Sequence, residues 1–391
     1  MAHLLGLGGS SSKVVVEVKG YEPLEEDNGD DGSEFSYSLD EDISVSKRPK
    51  RLRSACFKCG TVFGITITIL VLMLHLLYVI GRWLWGLDPE EQKDVFPEWG
   101  QPGTGTEDVA WYPTDFLRDV LPKACHSHND YWRRIPLFSA LHAGCIGVEA
   151  DVWWFDDDRH RDHLYIGHHP AALQRKRTFE SLYINPLVKI LERQNPSTEF
   201  YNDTSRGVFD TDPSQSLTLL VDVKTDGAST WPMVVEQLEP LRERGWLSVF
   251  DNGKVRYGPI TVVGTGNAPF DQIIQNSTYR DVFFDAPLDK LEGSSFDTSN
   301  SHYASVSLRH AVGQVWPGGL TPAQLETIRN QIRQAHERGL KARYWSLPAW
   351  PINARNHIWQ VLEEEGIDLL NVDDLKGATK KDWTKVWHAR A

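Results

Sequence analysis

Glu149 and Asp151 stand two residues apart in Gly147-Val148-Glu149-Ala150-Asp151-Val152, a run that is otherwise apolar. Successive side chains of a β-strand point to opposite faces, so residues two apart share one face. Two carboxylates on one face of an apolar strand are costly to bury without a counter-charge. A divalent cation supplies one, and clustered carboxylate oxygens suit magnesium or calcium. An isolated Glu-x-Asp is more often a solvated strand face or half of a salt bridge. This pair is not isolated. A second apolar run, Leu217 to Lys224, carries Asp222 and Lys224 at the same spacing, and Lys224 is either a salt-bridge partner of Asp222 or a phosphate contact. His126-Ser127-His128-Asn129-Asp130 precedes the pair and Gly167-His168-His169 follows it. Two histidines can exchange acid and base roles near neutral pH, while a cation and a lysine hold developing negative charge.

These residues need elements to bring them together. Candidate strands lie near 145–152, 163–168, 217–224, 259–265, 281–285, 303–308, 341–346 and 367–372, with one more ending at Cys125. Helical patterns lie between many of them, such as Pro232 to Arg244 and Thr321 to Arg338, the latter opening Thr-Pro and closing on Gly339. Strand-helix alternation over this length points to a (β/α)8 TIM barrel or a doubly wound sheet. No helix fits between 152 and 163, so the 163–168 run reads as a hairpin extension and leaves eight barrel strands. His126, Glu149, Asp151, His168, Asp222 and Lys224 then all fall at carboxyl ends of strands, where barrel enzymes build their sites.

The rest of the chain sets the context. Residues 1–58 read as a disordered tail, rich in Gly, Ser, Asp and Glu, with a basic cluster at Lys47, Arg48, Lys50, Arg51, Arg53 and Lys58. From Cys59 to Gly81 there is no Asp, Glu, Lys or Arg, and the stretch 59–81 is long enough for one transmembrane helix. Basic residues crowd its N-terminal flank, which puts the N-terminus in the cytosol. The chain is then a single-pass type II membrane protein of the secretory pathway, its barrel lumenal or extracellular. Residues 82–115, rich in Pro, Gly and acids, read as a stalk, and 116–391 as the barrel domain. Two sequons, at Asn202 and Asn276, are then open to glycosylation. The net charge of −13 and the lack of a basic stripe beyond residue 60 exclude nucleic acid as a partner of the barrel. Cys125 and Cys145 are the two barrel cysteines; with one ending a strand and the other starting the next, they are expected ~15 Å apart as free thiols.

His-Ser-His-Asn-Asp-Tyr (126–131), Val-Glu-Ala-Asp-Val (148–152), Gly-His-His (167–169), Arg-Thr-Phe-Glu-Ser-Leu-Tyr (177–183), Val-Asp-Val-Lys-Thr (221–225) and Asn-Val-Asp-Asp-Leu (371–375) together resemble the phosphodiesterase barrels related to phosphatidylinositol-specific phospholipase C. The resemblance is closest to the fungal family called altered inheritance of mitochondria protein 6, over roughly residues 120 to 375. It implies a membrane-anchored phosphoric diester hydrolase acting on a lipid-derived or glycerol phosphodiester. Glu149, Asp151 and Asp222 match the family's ligands for one divalent cation, Mg2+ or Ca2+, and His126 and His168 match its acid–base pair. Lys224, Asn129 and Trp345 are the candidate substrate contacts. His128 competes with His126, because His-x-His on a first barrel strand also binds metal, and His169 competes with His168. Asn129 and Asp130 either orient the site or cap the following helix. Trp345 and Asp373, at the ends of late strands, line the pocket or pack. His-Ser-His-Asn-Asp replaces the His-Arg-Gly of the commoner glycerophosphodiesterases, which puts glycerophosphodiesters in doubt as substrates. Two other readings are an amidohydrolase-type metal hydrolase, disfavoured by the lack of histidine after 259–265 and 281–285, and a non-catalytic membrane-anchored binding barrel.

Overall fold

The computed structural model of the chain describes residues 50–85, 117–200, 205–316 and 319–379. They belong to two units, Met1–Val95 and Phe96–Ala391. Most of the expected tail (1–49), most of the expected stalk (86–115) and the Asn202 sequon lie outside the described residues.

In the first unit a single helix, α1, runs Lys50–Trp85. Its segment Val62–Val79, 18 residues, is long and apolar enough to cross a membrane, and none of it is buried. At ~1.5 Å per residue it spans roughly 27 Å, close to the ~30 Å hydrocarbon core of a bilayer. Its two threonines do not leave a polar group stranded. Thr66 Oγ1 donates to the Val62 carbonyl at 2.8 Å and Thr68 Oγ1 to the Gly64 carbonyl at 2.9 Å.

The second unit is a TIM barrel. Its strands are β1 (Lys123–Ser127), β2 (Cys145–Trp153), β3 (Leu217–Val223), β4 (Ile260–Gly266), β5 (Phe283–Pro287), β6 (Ser301–Ser307), β7 (Lys341–Trp345) and β8 (Leu369–Val372). All pair in parallel, and β1 bonds both β2 and β8, which closes the ring. Tyr165–Ile166 pairs antiparallel with the end of β2, the hairpin extension expected from the missing helix. Helix α2 (Gly227–Gln237) begins earlier than its sequence pattern suggested, because the Asp226 side chain caps it by accepting from Ser229 N; Pro232 lies inside it. Helix α3 (Pro322–Glu337) has the reciprocal cap of Thr321 and Gln324 and a proline in its first turn.

Period-two alternation sorts the strand side chains. Val148, Ala150, Val152, Leu219, Val221 and Val262 face outward into the main core under the helices. Leu220, Val263, Tyr303 and Leu369 form a separate buried cluster within the ring. Each is followed two residues later by a polar residue, Asp222, Thr265, Ser305 and Asn371 respectively. The barrel is therefore plugged by an apolar layer with a polar layer above it, towards the carboxyl ends.

The expectation of free barrel thiols is wrong. Cys125 and Cys145 are disulfide-bonded, with Cα atoms 4.7 Å apart. The reading placed the end of β1 at Cys125, whereas β1 starts at Lys123 and runs on to Ser127. Lys123 lies opposite Cys145 and His126 opposite Gly147, so three steps on β1 match two on β2. That irregularity sets Cys125 beside Cys145 at the same end of the barrel.

Candidate active site

Neighbouring parallel strands in register set the centre of the site. Asp151 on β2 lies directly opposite Asp222 on β3, and Glu149 is one inward position below Asp151. Each of the three offers a carboxylate oxygen, all within 4.8 Å of one another. Glu149 and Asp151 are buried and Asp222 is partly so. Burial first, and then the Glu149 and Asp222 charges, push the Asp151 carboxyl up to about 6, against the pull of Lys224 and Tyr131. Asp151 Oδ1 is buried without a hydrogen-bond partner. An all-oxygen donor set, crowded negative charge and an orphaned inward oxygen together fit a hard divalent cation, so this buried acidic triad could bind a metal ion.

Lys224 supplies counter-charge here. Its Nζ lies 2.9 Å from Asp151 Oδ2 and 2.7 Å from Asp222 Oδ2. Burial pulls its pKa down, but the two carboxylates outweigh burial and leave it raised, so the ammonium is charged. Asp222 itself depends on a glycine. Gly266, at φ +67°, closes β4 so near that a Cβ there would sit 2.1 Å from Asp222 Oδ1.

The first βα loop wraps the triad. The Asn129 backbone N–H donates to Glu149 Oε2 at 3.1 Å. The Tyr131 hydroxyl lies 2.7 Å from Asp151 Oδ2 and 2.5 Å from Asn129 Oδ1, donating to one at a time. His168 Nδ1 is 3.2 Å from Asp151 Oδ2 and 3.1 Å from the Tyr131 hydroxyl. With Nδ1 as the donor, the ring is oriented and its other nitrogen is left for proton exchange. His168 comes from the residue after the hairpin strand, and its ring packs against Trp132 and His169. Asp130 is buried and accepts from Leu137 N (2.6 Å), Ser127 Oγ (2.8 Å) and Tyr183 Oη (3.1 Å), so it staples the loop.

The two β1 histidines differ sharply. His126 is fully buried, 3.9 Å from Glu149 Oε2 at Nε2, and neither ring nitrogen has a hydrogen-bond partner. Burial, with lesser terms from Arg343 and His128, holds its pKa well below the ordinary value. The ring fits because position 147 is glycine; a Cβ there would sit 2.4 Å from His126 Nδ1. His128 is nearer solvent, and its Nδ1 is 2.8 Å from Asp373 Oδ1. Burial lowers its pKa, but the Asp373 hydrogen bond and the Glu149 and Asp373 charges prevail and raise it. Trp345 stands at the end of β7, exposed, with no hydrogen bond to the carboxylates.

Sequence reasoning overlooked several side chains of the polar layer. Arg343 on β7 is buried and donates to Ser305 Oγ at 3.0 Å and Asn371 Oδ1 at 2.8 Å, with Asp285 Oδ2 at 3.4 Å. It ties β5, β6 and β8 together beneath the site. A charged residue inside an apolar strand, the signal that picked out Asp222, was present at Arg343 and Asp285 as well. Tyr131 and Tyr183 lay inside the quoted motifs, but nothing in a phenol's position announces which carboxylate it will reach.

Fold and site together define a TIM-barrel phosphodiesterase, and comparison with known proteins agrees. Residues 114–285 match the AIM6-like phosphodiesterase domain. The chain is 45% identical over 278 residues to the altered inheritance of mitochondria protein 6 homolog of Arthroderma benhamiae, covering 68% of this chain and 86% of that protein. It is 37% identical over 269 residues to the protein of that name in Eremothecium gossypii, covering 65% and 68%. The Saccharomyces cerevisiae protein is 35% identical over 279 residues, covering 66% and 70%. The chain belongs to the altered inheritance of mitochondria protein 6 family.

Proposed function

We propose that this protein is a membrane-anchored, metal-dependent phosphoric diester hydrolase that cleaves a lipid-derived or glycerol phosphodiester by two-histidine acid–base catalysis. The observation that carries the reading is the triad of Glu149, Asp151 and Asp222 with Lys224 and His168 both seated on Asp151 Oδ2. The triad would hold one Mg2+ or Ca2+, which when bound supplies positive charge to the phosphoryl oxygens. Lys224 places a second positive charge at the same edge. One histidine takes the proton from the attacking hydroxyl as the new P–O bond forms, and the other gives a proton to the leaving oxygen as the old bond breaks. His168, oriented by Asp151 and Tyr131, is one member of the pair, and His126 is the other. Asn129 holds Glu149 and faces the substrate, and Trp345 lines the mouth.

A second assignment of the β1 histidine rests on burial. A proton carrier must reach the substrate, and His126 is sealed in the ring, whereas His128 is nearer solvent and is braced by Asp373. One experiment decides the function and this assignment. The full chain, with and without chelator, is assayed on a panel of lipid and glycerol phosphodiesters against His126→Ala, His128→Ala and His168→Ala. Turnover that falls with chelator, and by on the order of 10²–10⁴-fold in His168→Ala and in one β1 variant, supports the mechanism. A leaving group that needs no proton, such as nitrophenolate, rescues the acid's variant alone. Cleavage that survives all three substitutions sinks the two-histidine mechanism. No cleavage of any phosphodiester favours a non-catalytic barrel.

The barrel is proposed to be lumenal or extracellular in a type II arrangement. The basic flank of α1 supports this, and so does the Cys125–Cys145 disulfide, since such bonds persist in oxidising compartments. Asn276 is exposed in its sequon and is the candidate glycosylation site.

A further inference from the structure

The exposed apolar side chains of the barrel are not scattered. At its carboxyl-end face, among the described residues, the large ones are Trp132, Ile135, Trp316, Trp345, Trp350 and Ile352. They come from the loops after β1, β6 and β7, in a ring whose order runs β6, β7, β8, β1. The loops after β2 to β5, on the other side of the mouth, contribute none. The remaining exposed large apolar residues of this unit precede their strands, at the opposite end. All four exposed tryptophans therefore lie on one arc, at 60%, 70%, 43% and 79% exposure for Trp132, Trp316, Trp345 and Trp350. The loops also meet. Gly319, beside the Trp316 turn, lies so near the start of the helix after β7 that a Cβ there would be 2.9 Å from His357 Nε2.

Tryptophan pairs a large apolar body with one polar N–H, which suits the boundary between headgroups and acyl chains. The charge on the arc points the same way. The protein carries a net −13, yet residues 128–137, 308–321 and 345–354 contain one acid, Asp130, which is buried in its loop. The same segments expose Arg134 and Arg309. A polar ligand site has no use for Trp350 and Ile352 facing water beyond the rim, whereas an anionic membrane surface matches both the apolar and the basic side chains.

We propose that the arc formed by the loops after β6, β7 and β1 docks on the interfacial region of an anionic lipid bilayer. The tryptophans and isoleucines enter among the headgroups, and Arg134 and Arg309 rest on phosphates. Such docking holds the mouth, with Trp132 against His168, at the lipid surface. It does not depend on turnover, and stands or falls separately from the phosphodiesterase reading.

The test uses the full chain in nanodiscs of phosphatidylcholine with and without phosphatidylserine, read by hydrogen exchange and mass spectrometry. Backbone amides of 132–135, 313–320 and 346–353 are expected to exchange several-fold more slowly in the anionic discs, with the loops of the opposite end unaffected. Trp316→Ser with Trp350→Ser should abolish that slowing and leave exchange in β2 to β4 unchanged. Arg134→Gln with Arg309→Gln, which touches no apolar contact, should weaken it by about fivefold per arginine. Slowing that is absent, equal in neutral and anionic discs, or untouched in both variants overturns the proposal.

Discussion

Asp151 is where the site's electrostatics are concentrated. Its carboxyl is pushed up to about 6 by burial and by the Glu149 and Asp222 charges, whereas an unfolded aspartate titrates near ~3.9. The folded state therefore holds the proton more tightly than the unfolded state. That contribution to stability is complete below about pH 4 and is lost as pH rises through about 6. Asp151→Asn removes the titration. In chelator, the variant's Tm relative to wild type should rise as pH goes from 4 to 8, the difference growing through about 6. Taking a difference cancels the opposite trend from His126, whose depressed pKa costs stability as pH falls. A Tm difference that stays flat across this range would mean that the three carboxylates do not repel one another in the metal-free protein. With saturating Mg2+ or Ca2+ the order should reverse, because the variant loses a ligand.

At the level of elements, β1 is the strand on which the site turns. It carries His126, closes the ring through β2 and β8, and leads into the loop that reaches Glu149 and Asp151. The Cys125–Cys145 bond fastens it to β2 across a sequence separation of 20. A loop of that size is worth ~3 kcal/mol on the chain-entropy model. Cys145→Ser should therefore lower the unfolding free energy by about that much and leave the far strands β4 to β6 unchanged by hydrogen exchange. An unreduced peptide map without a Cys125–Cys145 cross-link would refute the pairing itself. Arg133 locks the other edge of β1, its Nη2 donating to the His128 carbonyl at 3.1 Å and the Val372 carbonyl at 2.9 Å. The first loop is thus pinned at both ends, which suits a loop that positions proton carriers.

For the whole molecule, the decisive question is the side of the membrane. An apolar helix with a basic N-terminal flank, an intramolecular disulfide and an exposed sequon at Asn276 converge on a barrel across the membrane from residues 1–58. Sealed microsomes treated with protease should protect the barrel until detergent is added, and removal of N-glycans should shift the barrel's mobility unless Asn276 and Asn202 are both replaced. A barrel digested without detergent would end the type II arrangement, and the disulfide would then need a cause other than its compartment.

Much of this was legible in the chain because strand periodicity is local. Glu149, Ala150 and Asp151 disclose which carboxylates share a face without reference to anything distant, and the eight barrel strands fall close to where the apolar runs put them. The gap after residue 152 likewise revealed the hairpin that carries His168. What the sequence could not decide depends on how segments far apart meet. The pairing of Asp151 with Asp222 is a matter of inter-strand register, and a slip of two residues would separate them with the same side chains still inward. A single irregularity between β1 and β2 turned two expected free thiols into a disulfide. Ring closure buried His126 and left His128 nearer solvent beside Asp373, although the two are equivalent as written. The aromatic arc assembles from loops more than 170 residues apart that only the closed barrel makes neighbours. Local spacing is fixed by covalent geometry, whereas register, burial and neighbourhood are fixed by packing.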